Sequence, residues 1–393
     1  MWTTKCVRDF GRIAEIAKAG GRVVTLFSGG LDSFYLLWRL SRYDNLRIYA
    51  LSVDLGGDTE YDHLPEVWER LGAEHVVADH SRIFADEFVA PAIAAQATYL
   101  GLHPISSSLS RPLLARAAVD LAREVGAHVV LHTANRSQNS LRRLNTAIAA
   151  LGHDGYFGSP YELDAIGRAD KRAALKAAGF PALVDRMHSV DANLWCREFE
   201  SGMLDDPEWF PVPESLYTWT GSPSEAETAK ITIDFDGGLP TALDGTRTDL
   251  RQMIDALNVQ VGRFGLGRYS GLEHLESGEK VLEVREMPAG CLLLYAYRQI
   301  ESATVPAETV REKLSLEQVW TREALEGRWF GTLREAAQAF ITSVARRVTG
   351  QVTYRLDRTG MTVLSVRAPE PLYIRDRDSW ERDTSGSAHF HTR

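Results

Sequence analysis

The 393-residue sequence predicts an α/β protein: an N-terminal doubly wound parallel sheet, followed by a C-terminal α+β region. Three observations carry that expectation. In the first half, short apolar β-rich runs alternate with longer helical patterns. A Ser-Gly-Gly loop, Ser28 to Ser33, follows the first of those runs. Near residue 186 the style changes, and Trp, Pro and acidic residues thicken through Asp205 to Ser222. The chain is also too long for one comfortable core, so the sequence is divided into an N-terminal unit over 1–185, a second unit over 186–375 and a polar tail over 376–393.

Val23 to Phe27 reads as the first strand and Ser33 to Ser41 as the helix after it. Arg47 to Asp54 is the second strand, followed by a helix at Leu64 to Leu71 and a third strand at Glu74 to Asp79. Helical patterns cover Arg82 to Leu100 and Ser110 to Val125, with Pro112 in the first turn of the latter, where a missing N–H costs nothing. His128 to Ala134 is the fourth strand, ending in the polar loop Asn135 to Ser140. Beyond residue 186, Lys230 to Phe235 and Cys291 to Tyr297 read as strands, Leu250 to Val261 and Leu333 to Val348 as helices. Val352 to Leu356 and Thr362 to Arg367 read as a hairpin, giving helices on a mostly antiparallel sheet.

Composition narrows the function. Hydrophobic residues at 44% and charged residues at 25% match a packed globular protein. A net charge of -9 shows no basic field for nucleic acid or an anionic membrane, so any polyphosphate must be held locally. Cys6, Cys196 and Cys291 are too few and scattered for a disulfide framework or zinc ribbon, which fits a reducing cytoplasm. No apolar run reaches the roughly 18 residues of a membrane span.

Ser28-Gly29-Gly30-Leu31-Asp32-Ser33 sits where open α/β sheets bind ligands. Its glycines let backbone N–H groups turn towards an anion, its hydroxyls add donors, and the helix N-terminus adds partial positive charge. It lacks the Gly-Lys-Ser/Thr end of a Walker loop and the Gly-x-Gly-x-x-Gly of a dinucleotide fold.

Here the sequence resembles the PP-loop ATP pyrophosphatases, of adenine nucleotide alpha hydrolase-like fold, whose mark is Ser-Gly-Gly-x-Asp-Ser/Thr. Within them it resembles the argininosuccinate synthase family over nearly the whole chain. Ser107-Ser108-Leu109-Ser110-Arg111-Pro112-Leu113 is similar to that family's Thr-Ser-Leu-Ala-Arg-Pro segment, and His132 to Arg143 to its strand-end loop. Ser189 to Leu194, Gly267-Arg268 with Glu273, and Glu286 to Gly290 are similar to three further motifs. The resemblance implies an enzyme that adenylates the ureido oxygen of citrulline with ATP and Mg²⁺, after which the amine of aspartate displaces AMP. Carried over, Leu26, Ser28, Gly29, Gly30, Asp32 and Ser33 would hold ATP, with Val53 at the adenine. Asp32, Ser28 and Arg111 would be catalytic, Asp32 also organising the metal. His103, Ser108, Arg143, Ser189, Glu198, Glu273 and Arg285 fall at the citrulline positions, and Asn135, Asn139 and Ser140 at the aspartate positions.

Five of these depart from the family. Ser140 stands for an Asp that grips the aspartate amine and Asn135 for a Thr, while His103 and Arg285 replace Tyr and Glu198 replaces Ser. Losing the anion of a desolvated ammonium site costs about 2–5 kcal/mol. Two opposite charges entering one pocket must pair with each other or meet a substrate of different polarity, unless they form a solvated surface pair. The expectation is an AMP-forming carbon–nitrogen ligase with amino-acid-like substrates and a changed substrate pair. Its alternatives are a true argininosuccinate synthase, a tRNA-modifying PP-loop enzyme and an inactive scaffold. No nucleic acid or membrane partner is expected. The family's long C-terminal helical arm is not matched, so a homo-oligomer, dimer or tetramer, smaller or weaker than the family's is expected. His128, His132 and His188 read as structural, and Trp209 and Trp219 as packing residues.

Overall fold

A computed structural model describes residues 5–57, 65–180, 189–200, 202–204, 206–221 and 228–385. Its first sheet has six strands, in the spatial order Cys6–Val7, Tyr156–Gly158, Val129–Leu131, Gly21–Leu26, Leu46–Asp54 and Ala73–Asp79. Every pairing in it is parallel. After Gly21–Leu26 the chain builds two strands to one side, then returns to place Val129–Leu131 on the other. That reversal is the switch point at which such sheets bind ligands, and it brings the loop after residue 26 beside the loop after residue 131.

The central strands Gly21–Leu26, Leu46–Asp54 and Val129–Leu131 are apolar and buried on both faces, as the inner strands of a parallel sheet must be. One face packs the helices Phe10–Ala19 and Leu31–Leu40 through Ile13, Phe34 and Leu37. The other face carries the helix Ser107–Val125, and its core runs on without a break into Met253, Leu293, Trp320 and Tyr354 of the C-terminal half.

A second sheet is antiparallel, in the order Arg268–His274, Lys280–Glu286, Cys196–Glu200 and Ser189–Asn193. A third holds Thr246–Arg247, Leu239–Leu243, Ala229–Asp236, Gly350–Asp357 and Gly360–Arg367, so the expected C-terminal hairpin is present. The overall class is α/β, a parallel sheet joined to antiparallel sheets and helices.

Several sequence expectations are corrected. Cys291 to Tyr297 is no strand: it lies inside the helix Pro288–Thr304, with Pro288 at its first position. The helical stretch expected to reach Leu100 stops at Ala94 after a π-helical turn, Phe84–Val89, and Thr98–Tyr99 then pairs with His103–Pro104. The helix expected from Ser110 begins at Ser107, which puts Pro112 in its interior and leaves the Ser108 carbonyl without that helical partner. Trp209 is 75% exposed, so its ring is not packed between the two halves of the described chain. In the segment expected to be a loose tail, Arg377–Thr384 forms a helix capped by Asp376, with no buried residue. His188 lies outside the described residues.

Candidate active site

The loop after the first-sheet strand Gly21–Leu26 is tied down from below, since Phe27 N–H donates to Leu51 O at 2.8 Å and Ser52 Oγ donates to Phe27 O at 3.0 Å. Gly29 has φ +71°, and a Cβ there would meet nothing within 4 Å, so the turn needs glycine and opens onto free space. Ser33 Oγ donates to Gly30 O at 2.8 Å and lies 3.5 Å from Ser28 Oγ. No side chain caps the helix Leu31–Leu40, so its first-turn N–H groups remain for a ligand. Leu26 ends the strand, and Val53 is buried near the end of the neighbouring strand.

Asp32, in the first turn of that helix, is held on two sides. Its Oδ1 accepts from Lys171 Nζ at 2.8 Å, and its backbone oxygen accepts from Tyr161 Oη at 2.9 Å. The carboxylate keeps 35% exposure, and with the Ser28 and Ser33 hydroxyls it offers the hard oxygen donors that Mg²⁺ takes.

In the loop beside it, Asn135 Oδ1 accepts from Ser137 N–H at 3.0 Å and Ser137 Oγ at 2.6 Å, closing its own turn. Ser140 Oγ accepts from Arg111 Nε at 2.9 Å. Arg111 also donates to Ser110 Oγ at 3.0 Å and Asp191 Oδ2 at 2.5 Å. Where the family resemblance puts a carboxylate, this chain has a hydroxyl bonded to a guanidinium.

Asn139, Arg143, Glu198, Glu273 and Arg285 converge on a buried charge cluster. Glu273 Oε1 accepts from Arg143 at 2.5 Å and Asn139 Nδ2 at 3.0 Å, and Oε2 from Arg285 Nη2 at 3.1 Å. Arg285 Nε donates to Glu198 at 3.0 Å, and Arg285 also contacts Glu283. Strand register makes this possible: Glu198 and Arg285 are cross-strand partners in the second sheet. These charges therefore pair with one another, and their burial rules out a solvated surface pair. Burial would raise the Glu273 carboxyl, but Arg143 and Arg285 outweigh it and hold it down at about 2. Burial pushes the Glu198 carboxyl up despite Arg285.

His103 is 1% exposed, with neither ring nitrogen hydrogen-bonded, and stacks on Tyr99 at 5.3 Å. Burial, then the Arg285 charge, lowers it to about 3, so it is neutral. Ser108 is buried in the first turn of its helix, but its neighbour Ser107 makes the contact, accepting from Arg143 Nη1 at 2.9 Å. Ser189 opens its strand, with its side chain outside what is described. His132 is structural, buried and bonded to Asn145 at 2.9 Å.

Sequence reasoning missed Ser107, Asp191, Tyr161, Glu283 and Lys171. Ser107 and Asp191 lay inside the motifs already quoted, and Lys171 left a trace of its own: with Leu175 one turn on, it is a cation on the buried face of an amphipathic helix.

Models of two domains match the chain. The arginosuccinate synthase N-terminal HUP domain matches residues 22–178 and the arginosuccinate synthase C-terminal domain residues 188–390. The argininosuccinate synthase of Rubrobacter xylanophilus is 35% identical, over 93% of this chain and 90% of its own. That of Methanopyrus kandleri is 35% identical over 92% of each. Among solved structures, the U34-tRNA thiolase NcsA from Methanococcus maripaludis covers 41% of this chain and 58% of its own at 15% identity, with a TM-score of 0.28, too low to bear on fold or function.

Proposed function

Because the chain belongs to the argininosuccinate synthase family, we propose that it is an ATP-dependent carbon–nitrogen ligase that releases AMP and pyrophosphate. The observation that carries this reading is the Ser28–Ser33 loop at the sheet's switch point, with Gly29 at φ +71° and no side chain capping the helix that follows. In the first step an acceptor oxygen bonds the α-phosphorus and the bond to the β-phosphate oxygen breaks. In the second a substrate amine bonds the activated carbon, the bond to the AMP oxygen breaks, and the amine loses a proton. The chain contributes positioning and charge neutralisation and no covalent nucleophile. Loop N–H groups, Ser28, Ser33 and the helix N-terminus hold the phosphates, Leu26 and Val53 flank the nucleoside, and Arg111 orients the reacting end. Mg²⁺, held at Asp32, would offset phosphate charge.

The relatives bear the name argininosuccinate synthase, and this supports citrulline and aspartate as substrates better than it supports a changed pair. That reading stands first. A second reading, a changed pair, is favoured by one specific observation: Glu273 is already engaged by Arg143, Asn139 and Arg285, and Ser140 by Arg111, so the groups that would grip citrulline and the aspartate amine are occupied or lost. A reducing cytoplasm and a homo-oligomeric state complete the proposal; no described helix is long and apolar enough to cross a membrane.

The test follows ³¹P signals of ATP with citrulline and aspartate. AMP and pyrophosphate are expected, Asp32→Asn abolishes them, and ADP as main product overturns the ligase. A kcat/KM on the order of 10⁴ M⁻¹s⁻¹ or more supports the first substrate reading, and feeble release supports the second.

A further inference from the structure

The phosphate loop supplies no cation. Its one charged side chain, Asp32, has the sign of the ligand it would face. Loops that end in Gly-Lys-Ser/Thr solve this with a lysine of their own that reaches the terminal phosphates. Here a lysine arrives from the helix Arg168–Ala177, which packs beside the loop's helix. Lys171 is 5% exposed, and its ammonium is fixed from two directions, at 2.8 Å from Asp32 Oδ1 and 4.3 Å from the centre of the Tyr161 ring. Tyr161 in turn is bonded to the Asp32 backbone, so lysine, ring and loop form one unit.

Burying an ammonium is costly, and a partner that stays 35% exposed offsets only part of that cost. The arrangement is better matched to a third charge, an anion entering over the open face of Gly29 and the uncapped helix N-terminus. We propose that Lys171 is a phosphate-binding residue, the fixed cation of the polyphosphate site, which Asp32 and Tyr161 hold ready for the pyrophosphate portion of ATP. The inference rests on the reading of the loop as an ATP site. The rival is a staple between two helices that touches no ligand.

Calorimetric titration of the full chain with inorganic pyrophosphate, ATP and AMP, in metal-free buffer, separates them. Lys171→Met is expected to weaken pyrophosphate and ATP by about tenfold or more, and AMP by no more than about threefold. Asp32→Asn, which removes the anion and leaves the cation, is expected to bind pyrophosphate at least as tightly as the unmodified chain. Both variants break a staple, so a staple predicts losses of the same sign in both, and that result overturns the inference. Unchanged pyrophosphate affinity in Lys171→Met overturns it as well, while leaving the ATP-site reading intact. If the unmodified chain binds neither ATP nor pyrophosphate, both in this buffer and with Mg²⁺ added, the ATP-site reading falls and takes the inference with it. Should Lys171→Met fail to fold, Asp32→Asn decides alone: weaker pyrophosphate binding in that variant overturns the proposal.

Discussion

His103 sits in an environment far from that of a solvated imidazole. Enclosed, unbonded and near Arg285, it stays neutral in the folded chain down to about pH 3, whereas in the unfolded chain it takes a proton below its ordinary value of 6.5. Its contribution to stability is therefore complete above pH 6.5 and is lost as pH falls from 6.5 towards 3. Between pH 7 and 5 that loss amounts to up to about 2 kcal/mol. Other buried histidines, His132 among them, move the same way, so the comparison is with a variant. Urea midpoints of His103→Tyr should fall less over that interval than those of the unmodified chain. An identical slope would show that His103 is not a source of the acid sensitivity.

At the scale of elements, the second sheet and the short strand His103–Pro104 fit only because residue 271 is glycine. A Cβ there would lie 2.9 Å from His103 Nδ1, and the ring, stacked on Tyr99, has no room to retreat. Gly271→Ala should cost about 1–3 kcal/mol in chemical denaturation. His103→Ala in the same chain should recover most of that loss, because the clash needs both side chains. Additive losses in the double variant would exclude the clash. Elements also show where pattern reading fails. Cys291 to Tyr297 is apolar at nearly every position, which suits a buried strand and a buried helix equally, and only the packing of Pro288–Thr304 against its neighbours decides between them.

For the whole molecule, the shared core joins the N-terminal half to the C-terminal half, so the loop and the charge cluster are parts of one packed body. A second buried ion network, Lys313 with Glu301 and Glu317 at 2.7 and 2.5 Å, sits among the C-terminal helices. Exposed apolar area gathers near the end of the described chain, at Leu372, Ile374 and Trp380, beside a helix with nothing buried. Three exposed apolar side chains suit a modest contact between copies. Light scattering at micromolar concentration should therefore find an assembly smaller or weaker than a stable tetramer; a stable tetramer would show that other surfaces suffice.

From the sequence alone followed the parallel sheet, the place of the Ser28–Ser33 loop after its first long strand, the C-terminal hairpin and the residues of the family's motifs. These are written in local signals: hydrophobic period, turn residues, and a glycine pair whose first member, Gly29, takes φ +71°. What the tertiary structure decided is how charges far apart in the chain meet. Glu198 faces Arg285 because two strands pair in one register, and Glu273 reaches Arg143 from another element altogether. Lys171 reaches Asp32 across 139 positions of sequence. The sequence could name the intruding charges at 198 and 285, but whether they face water, a substrate or each other depends on long-range pairing, which carries no local signature.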